Sequence, residues 1–305
     1  MSVMVFGSIN MDLTTYVKRL PRPGETLFGK AYLTVPGGKG NNQAVAAARL
    51  GAPVKIVGRV GNDGFGSDIL KMIESENIDA HLICKDNQSE TGLAVISVDE
   101  SAENNIIVIS AANMNIDKSD VLRAVNELDG IKVLMLQLEV PLEASIQLAR
   151  KAKENNIKVI LDPAPAPEED FDSSIYTSIN IITPNERETE TLVGFALDTN
   201  QDVEKAANIL QKKGVETIVI KRGSKGVYLK SASVNAHIPV YKVNAIDSVA
   251  AGDAFNGGLA VALSEGKDII EAVRWGAAAG AIATTRKGAL PSMPFRDEVL
   301  KILNQ

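Results

Sequence analysis

Six short apolar runs, at 3–7, 54–60, 133–138, 159–161, 179–182 and 217–220, are separated by segments of helical periodicity at 42–50, 65–76, 118–128, 142–155 and 203–213. Apolar runs without polar alternation suit strands buried on both faces. Strands that alternate with amphipathic helices build mostly parallel sheets covered on both sides. The pattern therefore predicts an α/β fold. Two stretches break it. Residues 13–35 carry β-type residues on either side of a Pro-Arg-Pro-Gly turn, and 91–111 hold LAVISV and NIIVIS joined by DESAENN. They predict four antiparallel-type strands in a small second sheet. That sheet is either an extra hairpin pair at a domain edge or a lid over the carboxyl ends of the main strands, where ligands of open α/β sheets bind.

Composition narrows the function. With 305 residues, 45% of them hydrophobic, the chain buries a core without staples, and its single cysteine, Cys84, excludes an internal disulfide. Two scattered histidines, His81 and His237, do not make a metal site. A formal charge of −6 speaks against a surface that coats nucleic acid. The apolar run 276–283 is too short to span a bilayer, and the first residues lack a signal-peptide pattern. The expectation is a soluble, cytoplasmic protein with neither a nucleic-acid nor a membrane partner.

Several motifs fail. The segment 24–30 opens like a P-loop, but Ala31 stands where a Ser or Thr should meet Mg²⁺. Gly38-Lys39-Gly40 lacks the third glycine of a dinucleotide fingerprint, and no Gly-x-Ser-x-Gly elbow occurs.

Three others carry chemistry. At 36–44, Pro-Gly-Gly-Lys-Gly-Asn-Asn-Gln-Ala puts Gly38, Lys39, Asn41 and Asn42 before an Ala-rich helix, where close backbone approach and free amides suit a hydroxylated or anionic ligand. Asn10 and Asp12 follow the first strand, and Glu139 ends the run 133–138. Each alone reads as turn chemistry, but polar residues at several strand ends suit sugar hydroxyls. The segment 247–258, DSVAAGDAFNGG, places the bare amides of Ala250, Ala251 and Gly252 at a helix start, an anion hole for a transferring phosphoryl group. Asp253 beside it is out of place as a phosphate ligand, yet well placed as a general base for an attacking hydroxyl.

These motifs, with LQLEVP at 136–141, DPAPA at 162–166, TPNERE at 183–188, KRGSKG at 221–226 and TRKGALPSMP at 285–294, resemble the ribokinase family of sugar kinases, also called PfkB carbohydrate kinases. The resemblance covers essentially the whole chain. It implies a three-layer α/β domain at 1–12, 36–90 and 112–305 with a mostly parallel central sheet, and a small β lid at 13–35 and 91–111 that pairs protomers into a homodimer. The implied reaction is ATP-dependent phosphorylation of D-ribose at its 5-hydroxyl, with another pentose, fructose or a nucleoside as the alternative acceptor. By the same resemblance Asn10, Asp12, Gly38, Lys39, Asn42, Glu139 and Asp253 hold the sugar. Asn185, Lys221, Arg222, Gly223, Ser224, Lys225, Gly226, Gly252 and Ala277 meet the nucleotide, and Glu188 organises Mg²⁺ through water. A monovalent cation, usually K⁺, is implied at Asp247, Val249, Ala283, Arg286, Gly288 and Ser292. Departures from the family pattern are Val249 and Ala254, where Thr or Ser is common, and Met11 and Asn41, where smaller residues are common. A non-catalytic sugar-binding protein on this fold would be expected to have lost Asp253 or Gly252; both are present.

Overall fold

Strand and helix alternate in the computed structural model, which describes residues 2–101, 103–167 and 172–304. Ala102, in the segment DESAENN expected to turn, lies outside these residues, as do Met1, 168–171 and Gln305. The chain opens with β1 (Ser2–Phe6), β2 (Asn10–Tyr16), β3 (Ala31–Gly37), α1 (Lys39–Arg49), β4 (Val54–Gly61), α2 (Gly64–Ser75) and β5 (Asp79–Asp86). It continues through β6 (Gly92–Val98), β7 (Asn104–Ile109), a 3₁₀ turn at Ala111–Asn115, α3 (Lys118–Asn126), β8 (Ile131–Leu136), α4 (Leu142–Glu154) and β9 (Lys158–Leu161). Next come α5 (Ser174–Ser178), β10 (Ile181–Ile182), α6 (Glu186–Val193), α7 (Asn200–Lys212), β11 (Thr217–Lys221), β12 (Val227–Lys230) and β13 (Asn235–Ile238). The long helices α8 (Ala251–Ser264) and α9 (Ile269–Ala283) precede α10 (Arg296–Leu303).

Nine strands form the large sheet in the order β13-β12-β11-β10-β9-β8-β1-β4-β5. From β5 to β11 the neighbours are parallel; β12 and β13 add an antiparallel edge. Alternate residues of β1 explain the three layers. Val3 and Val5 enter the core shared with α1, α8 and α9, whereas Met4 and Phe6 enter the one shared with α3, α4 and α7. Each fully buried side chain of this kind contributes about 1.5–3 kcal/mol.

The small sheet has the order β3-β2-β6-β7. Its outer pairs are antiparallel, but the central β2–β6 pair is parallel, which corrects the expectation of four antiparallel strands. The cause is topological: β2 and β6 follow β1 and β5, which are parallel strands of one sheet, so both insertions leave from its carboxyl end and run side by side. Since β2 begins at Asn10 and β3 ends at Gly37, Asn10 and Asp12 sit on the first residues of the small sheet.

Two helices differ from expectation. The first starts at Lys39 instead of 42, because Gly38 takes φ 89°, a left-handed conformation that reverses the chain and lets Lys39 begin the helix. The run 276–283 is the end of α9, which packs along α8 and is apolar nearly all round, so it has no amphipathic period to detect.

Candidate active site

The carboxyl ends of β9, β10 and β11 and the N-termini of α1, α6 and α8 converge on one cleft of about 970 Å³. Asp253 lies at its floor, in the first turn of α8 and 5% exposed. Ala250 precedes it at φ 56° with no side-chain cap on the helix. An alanine held left-handed costs roughly 1–2 kcal/mol, and the result is a helix N-terminus whose amides face the cleft. Ala251 N donates a long bond of 3.3 Å to Ser248 O, so the amides of Gly252 and Asp253 lead the anion hole. Ala250, Ala251, Gly252 and Asp253 all line the cleft.

The early start of α1 brings Asn42 and Gln43 against that carboxylate. Asn42 Nδ2 donates to Asp253 Oδ2 at 3.1 Å, and Gln43 Nε2 donates to Oδ1 at 3.1 Å. Burial raises the Asp253 pKa to about 6, opposed by Lys39 and by these two hydrogen bonds. Asp12, on the facing strand, is also raised to about 6, first by burial and then by repulsion from Glu139 and Asp253. Burial by itself would depress the pKa of Lys39, but Asp253, Asp162, Glu139 and Glu188 outweigh it and hold the ammonium charged. One lysine thus sits among several carboxylates, as a polyol site requires if hydroxyls are to find both donors and acceptors.

Glu139 lies beyond the strand end expected for it, since β8 stops at Leu136. The turn brings its carboxylate to Ser8 Oγ and to Lys39 N, the latter at 3.2 Å. Gly38 is held against Asn10: a Cβ there would lie 2.8 Å from Asn10 N. Of the residues expected to hold a sugar, Lys39 and Asp253 line the cleft, while Asn10, Asp12, Gly38, Asn42 and Glu139 do not; they are joined to these two or to one another by hydrogen bonds, close approach or mutual electrostatics beside it.

On the other side, Asn185, Glu188, Lys221, Arg222, Gly223, Ser224, Gly226 and Ala277 line the cleft. Lys225 does not; it pairs with Glu186 at 3.1 Å. The Arg222 guanidinium is likewise committed, to Glu186 at 3.1 Å and Asn200 at 2.8 Å, so only the rest of the residue remains for a ligand. Asn185 caps α6, and Glu188 reciprocates: its carboxylate accepts from Asn185 N and Nδ2, each at 2.8 Å. Burial raises the Glu188 pKa, with Lys221 opposing.

The loops at 246–249 and 283–292 meet at Asp247. Its carboxylate accepts from Val249 N at 3.0 Å and Gly288 N at 2.8 Å, while its own backbone N reaches Thr284 O at 3.1 Å. Ala283, Arg286, Gly288 and Ser292 fall in the second loop, with Ser292 Oγ buried and donating to Ala289 O at 2.6 Å. Among the described residues no cluster of three or more His, Cys, Asp or Glu side chains is spaced to hold a metal ion.

Residues without an assigned role in the sequence reading also converge here. Asp162, at the end of β9, accepts from Lys221 Nζ at 2.9 Å and from Gln43 Nε2 at 3.0 Å. Gln137 donates to Gln43 at 2.7 Å, and Asn113 donates to Asn10 at 2.7 Å. Each follows or lies inside a motif, but its partner is 59 to 119 residues away, which no local signal reports.

A buried carboxylate at a helix N-terminus, with a corner of lysine, amides and carboxylates on one side and a nucleotide-sized cleft on the other, defines a small-molecule kinase of the α/β type. The chain belongs to the pfkB family of carbohydrate kinases, whose model matches residues 1–296. It is 42% identical over 302 residues to the ribokinase of Haemophilus influenzae, covering 99% of this chain and 98% of that one. It is 36% identical over 304 residues to the deoxyribokinase of Salmonella typhi, covering 100% and 99%. The structure of Arabidopsis thaliana ribokinase complexed with ribose and ATP superposes with a TM-score of 0.91 at 33% identity, covering 100% of this chain and 99% of that one.

Proposed function

We propose that the protein transfers the γ-phosphoryl group of ATP to the 5-hydroxyl of D-ribose, with Asp253 as general base. The observation that carries this is the Asp253 carboxylate itself, buried beneath the amides of α8 yet tied to Asn42 on the hydroxyl-binding side. In this reading Asn10, Asp12, Gly38, Lys39, Asn42 and Glu139 hold the sugar. Asp253 takes the proton from the attacking hydroxyl as the phosphoryl group arrives. The amides of Gly252 and Asp253 stabilise the charge that develops on the transferring oxygens. Lys221 and the backbone of 222–226 face the nucleotide phosphates, and Ala277 forms part of the shelf for the base.

Glu188 fits an Mg²⁺ ion held through water: it lines the cleft, and its oxygens, each accepting one bond from Asn185, retain further acceptor capacity for a water. Bound with ATP, that ion would neutralise charge on the phosphates. Asp247 fits a monovalent cation such as K⁺, since its carboxylate already draws together the loops whose Val249, Ala283, Arg286 and Gly288 carbonyls would complete a cage with Ser292 at its edge. The cation would supply a fixed positive charge behind the anion hole.

The small sheet serves as a lid and as the surface of a homodimer. Every residue of β7 is exposed, including Ile106, Ile107, Val108 and Ile109, so this apolar strand has neither face covered. One face would close over the sugar and the other would meet a second copy. No helix of the described residues is long and apolar enough to cross a membrane.

The whole-length match to a deoxyribokinase favours 2-deoxyribose as the second acceptor to consider. An ADP-release assay across ribose, 2-deoxyribose, other pentoses, fructose and nucleosides tests the reading. Ribose is expected to have the highest kcat/KM, and a panel in which no sugar raises ADP release above background would reject it.

A further inference from the structure

Gln43 is a fully buried amide held at both ends. Its Oε1 accepts from Gln137 Nε2 at 2.7 Å, which leaves Nε2 to face the carboxylates. Nε2 then donates to two of them, Asp253 Oδ1 at 3.1 Å and Asp162 Oδ2 at 3.0 Å. The opposite amide orientation would aim a carbonyl oxygen at two carboxylates, so the network selects one. Gly7 keeps room for this arrangement: a Cβ there would lie 1.8 Å from Gln137 Oε1. With Asn42 on the other oxygen, both oxygens of Asp253 carry a neutral donor, and the carboxylate cannot swing without breaking one of them.

We infer that Gln43, with its amide locked by Gln137, is a positioning residue that aims the Asp253 carboxylate at the attacking hydroxyl and favours its ionised form. The inference rests on the reading of Asp253 as base. Other groups also act on that carboxylate. Lys39 faces it from α1, Asp162 from β9 with Lys221 of β11 behind, and Asp12 from β2, while Glu139 and Glu188 act on Lys39. All of these are charged or titrate. Gln43 is neutral at every pH, so its removal changes the proton affinity of Asp253 without adding a new titration.

The test is the pH dependence of kcat and kcat/KM for wild type, Gln43→Met and Gln137→Met, each first checked for a cooperative unfolding transition. Loss of a hydrogen bond to the charged form raises a carboxylate pKa, so the acid limb of Gln43→Met should move up by about one pH unit. Its kcat at pH 6 should fall at least about fivefold, and part of that loss should be regained by about pH 8.5, the remainder reporting the lost aim, with KM for ATP unchanged. Gln137→Met keeps the donor but unlocks it, so its limb should move the same way by less. If Gln43→Met does not fold, Gln137→Met carries the test alone. An unmoved limb, whether or not kcat falls, would overturn the inference while leaving an active wild type as a kinase. A wild type that phosphorylates no sugar would overturn the base assignment and this inference together.

Discussion

Asn113 Nδ2 donates to Asn10 Oδ1 at 2.7 Å, and the same side chain bonds both the N and the O of Ile9. Asn113 sits where the second insertion returns to the large unit, and Asn10 where the first one leaves. One amide therefore fastens both crossings, and by occupying Asn10 Oδ1 it leaves the amide nitrogen as the donor that Asn10 has to offer.

Gly92 makes that contact possible. A Cβ at this position would lie 2.2 Å from Asn10 Oδ1 and 2.4 Å from Asn113 Nδ2, so the pair must separate in Gly92→Ala. Gly92→Ala and Asn113→Ala are both expected to raise the sugar KM by about tenfold, the value of one buried hydrogen bond, while KM for ATP stays near wild type. Equal changes in both KM values would show that the junction serves the whole cleft.

Asp253→Asn should cost activity and add stability. Removing the base is expected to lower kcat by about 10³-fold while ribose binding by calorimetry persists. The stability sign follows from the raised pKa. The folded protein binds a proton at Asp253 up to about pH 6, whereas the unfolded chain releases it near the ordinary 3.8, so stability falls as pH rises between those values. Above them the buried charge costs about 2–3 kcal/mol, which an amide avoids. Chemical unfolding should therefore find Asp253→Asn more stable than wild type at pH 8 and equal to it at pH 4. The acid limb of wild-type kcat should fall near pH 6, since Asp253 must be ionised to accept a proton.

What the sequence made legible follows from range. The alternation of β4, β8, β9 and β11 with their helices is a local periodic signal, and the sheet appears where it predicts. Missed were β5, whose sequence DAHLICKD mixes charges into a half-exposed edge, and the hairpin β12–β13, which continues an apolar strand into a polar edge. The same division runs through the site. Asp253 and the amides before it stand out because small residues and a misplaced charge share one segment. Asp162, Gln137 and Asn113 stay silent because their meaning lies in a partner on a distant element. The parallel β2–β6 pair is silent for the same reason, since which strand lies beside which is not written in the local composition of either.

The buried ion pair of Lys221 and Asp162 separates folding from function. Lys221→Met leaves the Asp162 carboxylate, 2% exposed, without its cation and is expected to destabilise the protein by about 3–5 kcal/mol. Adding Asp162→Asn removes the stranded charge, so the double variant should regain most of the loss in chemical unfolding. Activity should not return with it if Lys221 acts on the nucleotide phosphates as proposed, because that cation is still missing. A double variant that recovers both would reduce Lys221 to a structural role.

The Asp247 junction yields a prediction about ions. Its carboxylate joins the loop that leads into Ala250 and α8 to the loop around Gly288, so whatever orders the junction also orders the anion hole. Carbonyl-rich cages with a single carboxylate favour a large, weakly hydrated cation over a smaller one that keeps its water. Replacing K⁺ by Na⁺ should therefore lower kcat at constant ionic strength and leave the sugar KM within about twofold, since the corner at Asn10 and Asp12 lies on a different element. Asp247→Ala should lower kcat in K⁺ and abolish the difference between the two ions. Wild-type kcat that is the same in K⁺ and Na⁺ would remove the cation from this junction and leave Asp247 as the clasp between two loops.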